Sequence, residues 1–140
     1  MDDSILITIK KMLGLAEDYD PFDAEIIVHI NTAIMTLTQF GVGPKEGFFI
    51  TDATATWADL LTNPTNLEAV KTYLYLRVRM LFDPPSSSFV MDSMKAQADE
   101  LAWRLNVQAE SVETFDFMTE DGLKRGGSAI NIGVDESDGG

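Results

Sequence analysis

The side chains that could do chemistry are few. The chain has one histidine, His29, and no cysteine. The absence of thiols excludes disulfides, thiolate metal sites and cysteine nucleophiles. One imidazole without thiols does not make a familiar zinc site. His29 is therefore the one candidate general base, and no nucleophile motif accompanies it. Gly41-Val42-Gly43 is not followed by the Gly-Lys-Ser/Thr of a phosphate loop and does not complete a dinucleotide fingerprint, so it reads as a helix stop and turn. Glu17-Asp18-Tyr19-Asp20 lacks the glycine and closing glutamate of a calcium loop. The neighbouring acids Asp99 and Glu100 read as a solvated helix face. These residues point to a protein without catalytic machinery, cofactor or metal.

The elements that would position any site are helical. The 140 residues suffice for one self-sufficient core. A first helix is expected from Ser4 to about Leu13, capped by Asp3 or Ser4 and stopped by Gly14. A second runs from a capping Asp23 to Phe40, with Gly41 just past its end. A Gly/Pro-containing loop, 41–56, carries the apolar triplet Phe48-Phe49-Ile50, and a short helix follows around Thr56–Leu61. A third helix spans about Asn66–Phe82 and is stopped by Asp83-Pro84-Pro85, because proline disfavours α geometry in the residue before it. Ser86–Ser88 offer caps for a fourth helix, antiparallel to the third and reaching about Val107. The fold class is all-α: a bundle of about four helices with an extended C-terminal arm.

Side-chain periodicity separates core from surface. The second helix puts Ile27, Ile30, Ala33, Ile34, Leu37 and Phe40 in one stripe, and leaves Val28 and Met35 together on its polar side. The third helix is apolar around most of its circumference, with a polar strip of Glu68, Lys71, Thr72 and Arg79. Such a helix is buried nearly all round, either at the centre of its own domain or between that domain and a second subunit. Tyr73, Met80 and Arg77 lie in its apolar arc. A buried guanidinium needs a carboxylate or several carbonyls, so Arg77 reads as a structural ion pair, a snorkelling side chain, or an interface arginine. The fourth helix carries Val90, Met94, Ala98, Leu101 and Leu105 on one stripe, and Trp103 well off it. Trp and Arg are enriched at interface hot spots, which favours Trp103 as an anchor over a Trp lying on its own domain. The expected subunit interface is thus Arg77, Tyr73, Met80, Trp103, Val28 and Met35.

The formal net charge is −13, with 10 basic against 23 acidic residues. A protein that grips a duplex needs Lys and Arg for its phosphates, so the balance argues against a DNA grip while allowing DNA to pass without sticking. Acidity also serves solubility. Residues 110–140 hold 8 acids and 2 bases and end in Asp-Glu-Ser-Asp-Gly-Gly; they read as an acidic arm following a folded domain of residues 1–109. Within the arm, Val112, Phe115 and Phe117 alternate imperfectly with polar residues, whereas Ile130, Ile132 and Val134 alternate cleanly. Period two means strand, and a terminal strand beside a helical domain can add to another chain; the plainer reading is an unattached acidic tail. No apolar run approaches the ~20 residues of a membrane span, and the acidic N-terminus does not read as a secretory signal.

Several segments together resemble the head–tail connector (adaptor or head-completion) proteins of long-tailed bacteriophages. They are Leu37-Thr38-Gln39-Phe40-Gly41-Val42-Gly43, then Thr56-Trp57-Ala58-Asp59-Leu60-Leu61, then the run from Val70 to Pro85, and last Glu100-Leu101-Ala102-Trp103-Arg104-Leu105-Asn106. The resemblance spans roughly residues 4–107; its specificity lies in the order and spacing of the pieces. It implies an all-α virion protein, made in the host cytoplasm, that forms a ring, typically dodecameric, below the portal. DNA would pass its lumen, unbound, during packaging and ejection. The arm would dock on portal or neighbour, and Phe48, Phe49 and Ile50 would meet the next head-completion, stopper or tail protein. An alternative from another class is an acidic regulatory module that mimics DNA and occupies a basic partner. Deleting residues 110–140 is expected to leave the circular dichroism of the helical domain intact and to impair attachment; an unfolded product would refute the boundary.

Overall fold

The computed structural model describes residues 3–117, with side chains through residue 109. Its elements are α1 (Ile5–Met12), α2 (Asp23–Gln39), α3 (Trp57–Leu60), a 3-10 turn (Pro64–Asn66), α4 (Leu67–Phe82) and α5 (Ser88–Phe117). The fold is all-α, with four principal helices and one short one, and no strand among the described residues. Residues Met1–Asn106 form one compact unit and Val107–Gly140 a second, whose described residues 107–117 continue the α5 helix.

Helix ends follow local chemistry. Ser4 is the cap of α1: its hydroxyl accepts from the Ile7 N–H. Both α1 and α2 end in the same way. Gly14 and Gly41, each at φ 87°, turn the chain in the left-handed region. Past them the Leu15 N–H bonds back to the Lys10 carbonyl and the Val42 N–H to that of Leu37, each at 2.9 Å, the six-to-one closure of a glycine C-cap. Thr56 and Asp59 form a reciprocal capping box on α3. Ser87 caps α5 through its hydroxyl, which accepts from the Val90 N–H.

The most extensive helix–helix contact is α2 against α4. Val70, Tyr73, Leu74, Leu76 and Val78 of α4 are buried, together with Ile5, Leu6 and Ile9 of α1, Ile26, Ile30, Ala33, Ile34 and Leu37 of α2, and Met94, Ala98 and Leu105 of α5. One side of α4 thus lies at the centre of its own domain, while Leu81 near its end is 53% exposed.

Four local expectations need correction. Asp23 does not cap α2; Phe22 occupies that position without a side-chain bond. Asp23 instead pairs at 2.9 Å with the Lys10 ammonium, which is 2% exposed and also donates to the Glu17 carbonyl. The buried stripe of α2 is led by Ile26, which stands one turn before Ile30 on the core face, with Ile27 turned about 100° away and only partly buried. Val90 is exposed, since it stands in the first turn of α5, ahead of the residues that reach the core. Finally, α5 passes Val107 and runs to Phe117. Val112, Phe115 and Phe117 therefore lie on a helix rather than a strand, and an extended arm does not begin at residue 110. No Gly or Pro stands between Val107 and Phe117, and Gln108-Ala109-Glu110 are good helix formers, so nothing stops the helix where its apolar stripe ends. Ile130, Ile132 and Val134 lie outside the described residues.

Removing one partner of a buried ion pair strands the other charge. Asp23→Asn should lower stability by about 2–3 kcal/mol, less than for a fully buried pair because Asp23 keeps some solvent access. The double change Lys10→Met with Asp23→Leu should recover most of the loss. Urea unfolding of the three chains checks this; a wild-type midpoint for Asp23→Asn would refute the role of the pair.

Candidate interaction surface

Burial of one face of α2 decides what its other face must be. With Ile26, Ile30, Ala33 and Leu37 inward, residues 28, 32, 35 and 39 fall on the opposite side at helical spacing. Val28 is 60% exposed and Met35 57%. Beside them runs the segment Gly47-Phe48-Phe49, with Phe49 69% exposed. Together they bound a groove of about 490 Å³, lined also by Asn31, Thr32, Thr38 and Gln39. Every lining residue is uncharged. Val28 and Met35 on a helix face, and Phe48 and Phe49 on a loop, were expected at separate contacts; the fold brings them into one concave surface.

Asn31 makes that surface. Its side-chain oxygen accepts from the Ile50 N–H at 2.7 Å, and its amide nitrogen donates to the Ile50 carbonyl at 2.9 Å. Two bonds from one side chain fix a residue of the loop against α2, and the Ile50 side chain enters the core, 1% exposed. Farther along, Asp52 accepts from the hydroxyl and the N–H of Thr54. Those bonds, the hydroxyl's first, hold its carboxyl below the usual range. The end of the segment is clasped to α1: Ser4 donates to the Ala53 carbonyl (2.8 Å), the Ile5 N–H to that of Ala55, and the Trp57 N–H to that of Asp3. The Trp57 indole N–H donates to the Thr8 hydroxyl at 3.1 Å.

The α4 residues stand differently. Tyr73 is 1% exposed, with its ring inside its own domain. Burial pushes its phenol above the usual tyrosine range, against the opposing pull of the Arg77 charge and hydrogen bond. Arg77 is half-buried. It donates to the Tyr73 hydroxyl at 3.0 Å and lies 5.7 Å from that ring's centre. It has a phenol where a carboxylate or several carbonyls were expected, and makes no ion pair among the described residues. Met80 packs partly buried against the core. Trp103 is 64% exposed on α5.

Sequence reasoning missed Asn31 and Thr32 as groove residues, and missed Phe89 and Leu81, which are exposed on either side of the α4–α5 connection. Asn31 had a signal: asparagine is a poor residue for the middle of a helix unless its side chain has a task there. His29 meets Glu25, one turn back on α2, at 3.3 Å. Among the described residues no three His, Cys, Asp or Glu converge as a metal site, and no helix is long and apolar enough to cross a membrane.

The described domain is all-α and carries exposed apolar residues around a neutral groove, a kind of surface common at protein contacts. More narrowly, the chain belongs to the phage connector protein family, whose model matches residues 5–112. Membership gives it a structural connector role in a phage particle. Searches of curated proteins and of solved structures found no match.

Asn31→Ala would leave both backbone groups of Ile50 without their partners. Each net bond contributes about 0.5–1.5 kcal/mol, so a loss of about 1–3 kcal/mol is expected. Proteolysis within residues 44–52 should become faster, while helix content is kept. Unchanged cleavage of this segment would show that Asn31 does not hold it.

Proposed function

We propose that the chain is a head–tail adaptor subunit. Copies assemble into a ring below the portal, the ring extends the DNA channel, and its far end receives the next head-completion or tail protein. The family match across residues 5–112 carries this reading. The exposed residues support it: Val28, Met35 and Trp103 lie on two different helices, and a ring subunit needs two distinct contact surfaces for its two neighbours. Arg77, half-buried and without a carboxylate, suits the acidic surface of a second copy. The excess of acids over bases suits a lumen that DNA crosses without being held. The residues that follow Phe117 serve as the attachment arm to portal or neighbour.

The test is direct. The purified chain is mixed with the portal of its phage and examined by native mass spectrometry and electron microscopy. The expected result is a ring of copies seated on the portal. No ring and no portal contact would sink the reading, and a monomer or dimer whose binding to a basic protein falls steeply with salt would favour a regulatory module. Trp103→Ala should leave stability within about 0.5 kcal/mol of wild type, as for exposed sites, and weaken ring assembly.

A further inference from the structure

We infer that the groove between α2 and residues 47–49 receives residues 129–134 of a neighbouring copy of this chain, paired as a strand with Phe48 and Phe49. The inference rests on the adaptor reading, which supplies the neighbour, and adds the occupant. It reassigns Phe48 and Phe49 from a tail-ward protein to the adjacent subunit.

The groove has an open backbone edge. Ile50 has both its backbone groups bonded to Asn31. The N–H and C=O groups of Phe48 and Phe49 have no hydrogen-bond partner among the described residues. A non-helical run with open donors and acceptors, flanked by exposed apolar side chains, is a template for an added strand. Main-chain bonds would give affinity, and the Val28–Met35 face would take alternate side chains.

The chemistry of the lining selects the occupant. No charged residue lines the groove, so a charged segment would lose its hydration without gaining a counter-charge. Residues 110–140 carry ten charges in 31 positions, yet Gly126 to Val134 is a run of nine without any. Within it Ile130, Ile132 and Val134 alternate with Asn131 and Gly133, the period a strand needs to put its apolar side chains on one face. The other alternating stretch, 111–117, contains Glu113 and Asp116 and is helical. Residues 118–129 separate the helix end from the apolar run, and twelve residues can reach at most about 40 Å. The tail of one copy in the groove of the next is a head-to-tail contact, the kind that closes a ring.

The chain has no cysteine of its own, so introduced thiols give an unambiguous readout. A full-length Thr32→Cys chain is mixed with a differently tagged full-length chain carrying Ile130→Cys, Asn131→Cys, Ile132→Cys or Gly133→Cys. Portal is added and the mixture oxidised. A disulfide forms only where Cα atoms come within about 7 Å. The expected result is a covalent pair of unlike tags whose yield alternates with residue parity, at least fivefold between neighbouring positions. Met35→Asp in the Thr32→Cys chain should cut the yield about tenfold with circular dichroism unchanged. Rings on the portal without the disulfide, or with equal yield at all four positions, would overturn the docking and leave the adaptor reading standing. No ring at all would overturn both.

Discussion

The constraint on which the whole fold depends is the circumference of α4. Apolar residues surround it, and its backbone offers no way to hide them from water except enclosure by other helices. From α1, α2 and α5 come Ile5, Ile9, Ile26, Ile30, Ile34, Leu37, Met94, Ala98 and Leu105. Each enclosing helix must then turn a second face outward. On α2 that face carries Val28 and Met35, and on α5 it carries Trp103. Val28, Met35 and Trp103 thus stand on the outward side of helices that also fill the core, placed there by the same periodicity.

The rest of the chain is irregular between α2 and α3, and a helical frame offers no ladder of backbone bonds to hold such a segment. Polar side chains hold it instead. Asn31 bonds both backbone groups of Ile50, Ser4 reaches the Ala53 carbonyl, and Thr8 receives the Trp57 indole N–H. Lys10 does comparable work on the other side of α1, where its ammonium ties the Glu17 carbonyl to Asp23 across the α1–α2 connection. In each case one side chain satisfies groups outside its own helix turn, which would be costly to leave buried and unpaired. Loop and helix consequently share one surface, and the groove is as firm as those bonds.

The chain belongs to a connector family, and its described residues combine apolar, acidic and half-buried basic surface. The groove is neutral and apolar, the excess charge is acidic, and Arg77 retains a half-buried guanidinium bonded to a neutral phenol. Tyr73 shows how a residue in the apolar arc of a helix divides its parts: its ring completes the core of its own domain, and its hydroxyl anchors the arginine one turn on. Arg77 is thereby held against Tyr73, one turn back on the same helix.

Much of this was legible in the residues themselves. Gly14, Gly41 and Pro84 end helices because backbone sterics act over one or two residues, and Ser4, Thr56 and Ser87 begin them for the same local reason. Periodicity of 3.6 marked the face on which Val28, Met35 and Trp103 would stand, since it depends only on helix geometry. The family match over residues 5–112 agrees with the segments that resembled a connector. Tertiary structure alone decided which carboxylate Lys10 would meet, that Asn31 would hold Ile50, that Tyr73 would turn inward, and that a helix face and a distant loop would become one groove. Local helix propensity, by contrast, carried α5 past Val107, where a fading apolar stripe had suggested an end. The division has one physical cause. Caps, stops and faces are set by neighbours within a turn, whereas ion pairs, clasps and concave surfaces need partners that the sequence places tens of residues apart and only packing brings together.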